Sequence, residues 1–218
     1  MKKLRIFFTL AVWMTTMLSA TGQAQIGIGL KGGWNYAGLS GVNSVTNATT
    51  NKSGYHFGAY TLIKLTKIAI QPEVIFSQQG ETYTYSGSDY GTDINYLNIP
   101  VMLKLYLIQG LNLQAGPQLG FVTQATGSLK NETTGAITND QDVKEFLNTT
   151  DFAIGMGVGW DLPFGLNITA RYNIGISDIN KYTGGTVPNN VSTWMGTSES
   201  KNQVFQFSVG YRIFKIGD

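Results

Sequence analysis

Between Phe152 and Leu162 the chain alternates without a break. Phe152, Ile154, Met156, Val158, Trp160 and Leu162 are apolar, and Ala153, Gly155, Gly157, Gly159 and Asp161 between them are small or charged. Successive side chains of a strand point to opposite faces, so a period of two predicts a strand with one apolar and one small or polar face. Seven other segments carry the same rhythm. In 26–36, Ile26, Ile28, Leu30, Trp34 and Tyr36 oppose Lys31 and Asn35. In 55–65, Tyr55, Phe57, Ala59 and Ile63 oppose His56, Tyr60 and Lys64. From 68 onward, Ile68, Ile70, Pro72, Val74 and Phe76 oppose Gln71, Glu73, Ser77 and Gln79. From 97, Leu97, Ile99, Val101, Leu103 and Leu105 oppose Asn98, Met102, Lys104 and Tyr106. The segments from 111, 166 and 205 repeat the pattern, with Gln114 and Gln118, Arg171 and Asn173, and Gln206 and Arg212 on their polar faces.

In water each apolar face would need a second layer, and no segment is left to supply it. A sheet that is apolar outside and polar inside suits a barrel closed in a lipid bilayer. The expected fold is therefore all-β: an eight-stranded antiparallel up-and-down transmembrane β-barrel with a side-chain-filled lumen. Its connections alternate in length. Thr66-Lys67, Ile108-Gln109-Gly110 and Pro163-Phe164-Gly165 read as tight turns, while 37–54, 127–149 and 177–201 are long and polar. Short periplasmic turns and long external loops are the pattern of outer-membrane barrels, which puts both termini in the periplasm. Pro72, Pro100 and Pro117 fall inside strands, where each removes a ladder donor; bulges near the rims are expected there.

Composition changes the picture in two ways. Lys2, Lys3 and Arg5 followed by the apolar run Ile6–Leu18 and the small residues of Gly22-Gln23-Ala24 read as a secretory signal peptide over 1–24, leaving 25–218 as the barrel domain. Without that leader twelve basic residues face 13 acidic ones, a balance that does not suggest nucleic acid. The chain has no cysteine, hence no disulfide, thiolate metal site or lipid-anchor cysteine.

The candidate chemistry lies in the lumen. Lys31, Lys64, Lys104, Arg171 and Arg212 point inward with a single mid-strand carboxylate, Glu73. An unpaired charge in a narrow lumen is costly, so Glu73 is expected to pair with one or more of Lys31, Lys104 and Arg171. This network of Lys31, Glu73, Lys104, Arg171 and Arg212 reads as a polar plug; a conducting pore is the alternative. Trp34, Tyr36, Tyr55 and Phe57 toward one rim, and Trp160, Tyr211 and Phe214 toward the other, read as aromatic girdles against lipid headgroups. His56 is the only histidine. Ser53, Ser77 or Glu81 could partner it in a hydrolytic site, but no nucleophile motif supports one, and no catalytic residue, cofactor or metal is expected. Asn139, Asp140, Asp142 and Glu145 lack EF-hand spacing and read as a solvated loop, with a short helix over 140–147 capped by Asn139. The Asn-x-Ser/Thr triplets at Asn47, Asn131, Asn148 and Asn190 reflect Asn/Thr-rich loops.

Six stretches carry a family likeness: GLKGGWNY at 29–36, QPEVIFSQQG at 71–80, YLNIPVMLK at 96–104, AGPQLG at 115–120, GLNITARYNIG at 165–175 and NQVFQFSVGY at 202–211. With them the chain resembles the PorT-like outer-membrane β-barrel family common in Bacteroidota. The resemblance implies an integral outer-membrane barrel and supplies no catalytic residue. A structural or interaction role is the expectation, with an accessory part in an outer-membrane secretion machine as the alternative. The expected partners are outer-membrane lipids, the barrel-assembly machinery during insertion, and secretion or envelope proteins. The resemblance also implies a C-terminal aromatic, whereas Phe214 is followed here by Lys-Ile-Gly-Asp.

Overall fold

The computed structural model describes residues 24–40, 49–85, 88–131, 137–181 and 201–217. The proposed signal peptide therefore lies outside the described residues. So do residues 41–48 of the 37–54 connection and residues 182–200 of the last one. The strands are β1 (Gln25–Ser40), β2 (Thr49–Leu65), β3 (Ile68–Tyr85), β4 (Ser88–Tyr106), β5 (Leu111–Asn131), β6 (Ile137–Asp142), β7 (Thr150–Asp161), β8 (Leu166–Gly175) and β9 (Lys201–Ile216). All neighbours pair antiparallel, and β4 pairs with β5 to close the ring. Eight strands form that ring. The ninth, β6, pairs only with the far end of β5, beyond the stretch of β5 that pairs with β7. The barrel is thus the eight-stranded up-and-down closure read from the sequence. The expected 127–149 loop is instead largely a strand-paired extension, β5 with β6, ended by a single 3-10 turn at Lys144–Phe146. That turn starts after Val143, not Asn139, and has no side-chain cap. Pairing with the overlong β5 satisfies the backbone of this segment, so no helix is needed there.

The chain ends and the tight turns share one rim. Thr66, Gln109, Gly110 and Gly165 adopt positive φ in those turns. At Gly110 an added Cβ would also sit 2.0 Å from the Asp161 carbonyl oxygen, so only glycine fits. At the opposite rim β3 and β4 run on as a tall hairpin joined through 86–87. Val143, Leu147 and Ile179 pack there with Ile94, Tyr96, Val122 and Ala125, forming an apolar cluster in the far end of the barrel. An isolated bridge from Leu147 to Asn180 and the Asn148 amide donating to the Ile179 carbonyl hold the two connections together.

The outward face is a continuous apolar belt that includes Leu30, Val74, Leu103, Leu113, Met156, Val158 and Phe205, all exposed. A water-soluble barrel would reverse this polarity; a membrane-spanning one requires it. The three prolines do not create bulges. Pro72 lies opposite Val101, Pro100 opposite Gln118 and Pro117 opposite Ile154, with the register unchanged on either side of each. A strand residue sends its N–H toward one neighbour only, so each proline forfeits one bond and the flanking pairs keep the alignment. The irregularities fall elsewhere, between Ile28 and Gly29, Asn51 and His56, Asn95 and Tyr96, and Gly127 and Leu129.

Candidate functional site

The inward face of eight strands leaves just enough room for side chains to fill. Glu73 on β3 sits at its centre. Arg171 on β8 reaches it with two hydrogen bonds, Nη2 to Oε1 at 2.8 Å and Nη1 to Oε2 at 3.1 Å. Lys31 approaches at 3.3 Å, and the Gln71 amide donates at 2.8 Å. Arg171 also donates to Gln114 on β5, at 2.9 Å. The side chains of Glu73, Arg171 and Lys31 are at most 3% exposed. A bidentate arginine fork with a second cation and an amide fills the acceptor sites of one carboxylate.

Lys104 does not join Glu73 directly. Its ammonium lies 3.0 Å from both oxygens of Asp161 and donates to Gln71, which in turn donates to Glu73. Asp161 also accepts from Tyr106 at 2.5 Å. Asp161 on β7 is a further lumenal acid, closer to the chain-end rim than Glu73. Arg212 stands outside this network and donates to Gln25 at 3.1 Å. Arg212 shares the inward face expected of it, and its height along the barrel axis separates it from the central cations.

Toward the far rim the network is mostly neutral, with the buried Asp151 carboxylate accepting from Ser177 at 2.6 Å. His56 Nδ1 lies 2.8 Å from Asn35 Oδ1, and Nε2 lies 2.7 Å from Ser208 Oγ. Ser77 accepts from Asn35, Gln206 bridges Asn35 and Asn173, and Asn202 donates to Gln79. The partners of His56 are thus Ser208 and Asn35 and not Ser53 or Ser77; the side chain of Glu81 lies outside the described residues. Serine, imidazole and amide stand in the order of a nucleophile, base and orienting group. Ser208, however, is only 1% exposed, which encloses its hydroxyl within the packed lumen.

The chain-end rim differs from the rest. A cavity of about 670 Å³ opens there, lined by Lys64, Arg212, Lys215, Asp161, Tyr106 and Gln25 among others. Lys64 lies 3.7 Å from the centroid of the Tyr106 ring.

On the outer face Trp34 is 65% exposed, and Tyr36, Tyr55, Trp160 and Tyr211 are also exposed. Trp34 pairs with Tyr55 and Phe207 across its two ladders, and Tyr55 stacks on Phe57. The Trp160 indole donates to the Gln109 carbonyl in a tight turn. Among the described residues no group of three His, Cys, Asp or Glu side chains could hold a metal ion.

A family model described as outer membrane protein beta-barrel domain matches residues 21–181. No curated protein matches the sequence. Among solved structures, Ail, the attachment invasion locus protein of Yersinia pestis, is 11% identical with a TM-score of 0.49, covering 88% of this chain and 99% of that one. Neisserial surface protein A is 9% identical with a TM-score of 0.48, covering 87% and 99%. OprG of Pseudomonas aeruginosa is 8% identical with a TM-score of 0.36, covering 90% and 97%.

Proposed function

The chain belongs to the outer membrane protein beta-barrel domain family, and from that premise we propose that it works by contact and not by transport. The barrel is a bacterial outer-membrane protein. In the proposed reading its belt stands in lipid, with Trp34, Tyr36 and Tyr55 at one headgroup level and Trp160 and Tyr211 at the other. The short turns and both termini face the periplasm. The tall β3–β4 and β5–β6 hairpins carry the binding surface outside.

One observation supports this most: the lumen is crossed at mid-height by the Arg171–Glu73–Lys31 cluster, whose side chains are almost fully buried. A hydrated pathway would leave these charges exposed to water. The apolar cluster of Val143, Leu147 and Ile179 at the far end supports the same reading.

Crosslinking in intact cells followed by purification from outer membranes tests the role. Under this reading partners attach through the far-end hairpins, and deleting residues 126–142 abolishes the crosslinks while the barrel still inserts. Recovery of secretion-machine components through the Thr66–Lys67 or Pro163–Gly165 turns would instead favour an accessory secretion role of the PorT kind.

A further inference from the structure

We propose that the chain-end mouth of the barrel is a binding basin for a phosphate-bearing ligand, built around Lys64, Arg212 and Lys215. The proposal rests on the orientation given above only for the compartment that supplies the ligand.

The placement of Lys215 is the first observation. Along β9 the inward residues run Gln206, Ser208, Gly210, Arg212, and strict alternation would put Phe214 inward and Lys215 outward. The pairing changes at this point: Arg212 lies opposite Gly29, but Phe214 lies opposite Ile28 and Lys215 opposite Gly27. Ile213 is the extra, unpaired residue of a bulge. Its insertion turns Phe214 to the lipid side, where it is 63% exposed, and aims Lys215 into the cavity. Re-aiming a side chain is a recurrent use of bulges at barrel rims. Gly27 is part of the same construction, because a Cβ there would fall 2.6 Å from the Arg212 side chain.

Charge is the second observation. The basin holds one carboxylate, Asp161, and Lys104 already neutralises it from below. Lys64, Arg212 and Lys215 then contribute three positive charges with no carboxylate within salt-bridge distance among the described residues. Low-dielectric walls around a concave mouth concentrate such a field. A guanidinium fork flanked by two ammonium groups suits a dianionic phosphate better than a lone carboxylate. The volume of about 670 Å³ exceeds a bare phosphate ion and fits the phosphate group of a larger solute or lipid headgroup. The central plug closes the other side of the basin, so the ligand enters and leaves by one mouth.

The test uses the full barrel purified in octyl glucoside, which carries no phosphate. Inorganic phosphate and dihexanoyl-phosphatidylglycerol below its critical micelle concentration are the two probes, titrated by calorimetry. Saturable binding is expected, weakened at least tenfold in Lys215→Gln and Arg212→Gln and unchanged in Lys67→Gln, an exposed cation in a turn of the same rim. The double variant Phe214→Lys, Lys215→Phe moves the ammonium to the lipid side without changing the charge of the protein, and is expected to weaken binding as much; if that variant does not fold, the two glutamine variants decide. Tighter binding of the lipid than of phosphate assigns the site to a headgroup, and the reverse assigns it to a soluble phosphorylated solute. Absence of saturable binding by both probes, or equal binding by Lys215→Gln, overturns the proposal. Orientation is read separately. The chain has no cysteine, so Lys215→Cys supplies a single thiol. A membrane-impermeant maleimide that labels it in intact cells would overturn the periplasmic orientation and leave the binding result standing.

Discussion

Arg171 and Glu73 face each other across the full width of the barrel. They lie 98 residues apart in sequence, and their strands β8 and β3 are four places apart in a ring of eight. Their two hydrogen bonds therefore tie opposite walls, a contact that no ladder pair can make. Neutralising the carboxylate leaves Arg171 and Lys31 buried together without a counter-charge. Glu73→Gln is expected to lower unfolding stability in lipid vesicles by about 3–5 kcal/mol. The double variant Glu73→Gln, Arg171→Met is expected to recover part of the loss, because the uncompensated guanidinium is gone. Urea titrations of the two variants check both statements, and a single variant no weaker than the parent would refute them.

The second ion pair carries a smaller penalty. Asp161 is 17% exposed, so water relieves Lys104 and Tyr106 when the carboxylate is lost. Asp161→Asn is expected to cost roughly 1–3 kcal/mol, less than Glu73→Gln in the same titration.

The belt predicts a dependence on depth. Met156 flanks Gly157, which pairs with Arg171 at the level of the central cluster, and its side chain points outward. Met156→Arg is expected to cost about 2–4 kcal/mol in vesicles. Phe164, equally outward but in a chain-end turn, is expected to tolerate arginine with a change below about 1 kcal/mol. Equal costs at both positions would contradict the membrane placement.

These contrasts also mark how far the sequence was legible. Period-two alternation identifies all eight barrel strands and their faces, because one-sided burial imposes that pattern on every strand. It places Glu73, Lys31 and Arg171 on the inner face, and electrostatics then demands a partner for Glu73. Face alone does not give height. For that reason parity leaves open which of Lys31, Lys104 and Arg171 meets Glu73, and it does not separate Arg212, at the rim, from the cations further in. The Ile213 bulge is invisible to a parity argument, since one inserted residue changes the face of everything after it. The prolines misled in the opposite direction: a missing donor is a local loss, and long ladders on either side absorb it. The β5–β6 extension escaped because its polar, Asn- and Thr-rich sequence lacks the apolar face that reveals the other strands.

Close approach between strands gives a further prediction. Pro117, which has no N–H, follows Gly116, and a Cβ on Gly116 would sit 2.0 Å from the Val101 carbonyl oxygen. Gly116→Ala must push β4 and β5 apart, and is expected to cost about 1–3 kcal/mol and to slow assembly of the folded barrel. Refolding into vesicles, followed by the mobility difference between folded and heated protein, measures this directly.

The central claim is that the lumen is filled and the protein does not conduct. Single-channel recording in planar bilayers tests it most directly. The parent barrel is expected to give no steady current, and Glu73→Gln, Arg171→Met at most brief, irregular openings. Stable, reproducible conductance steps from the pure parent protein would contradict the account.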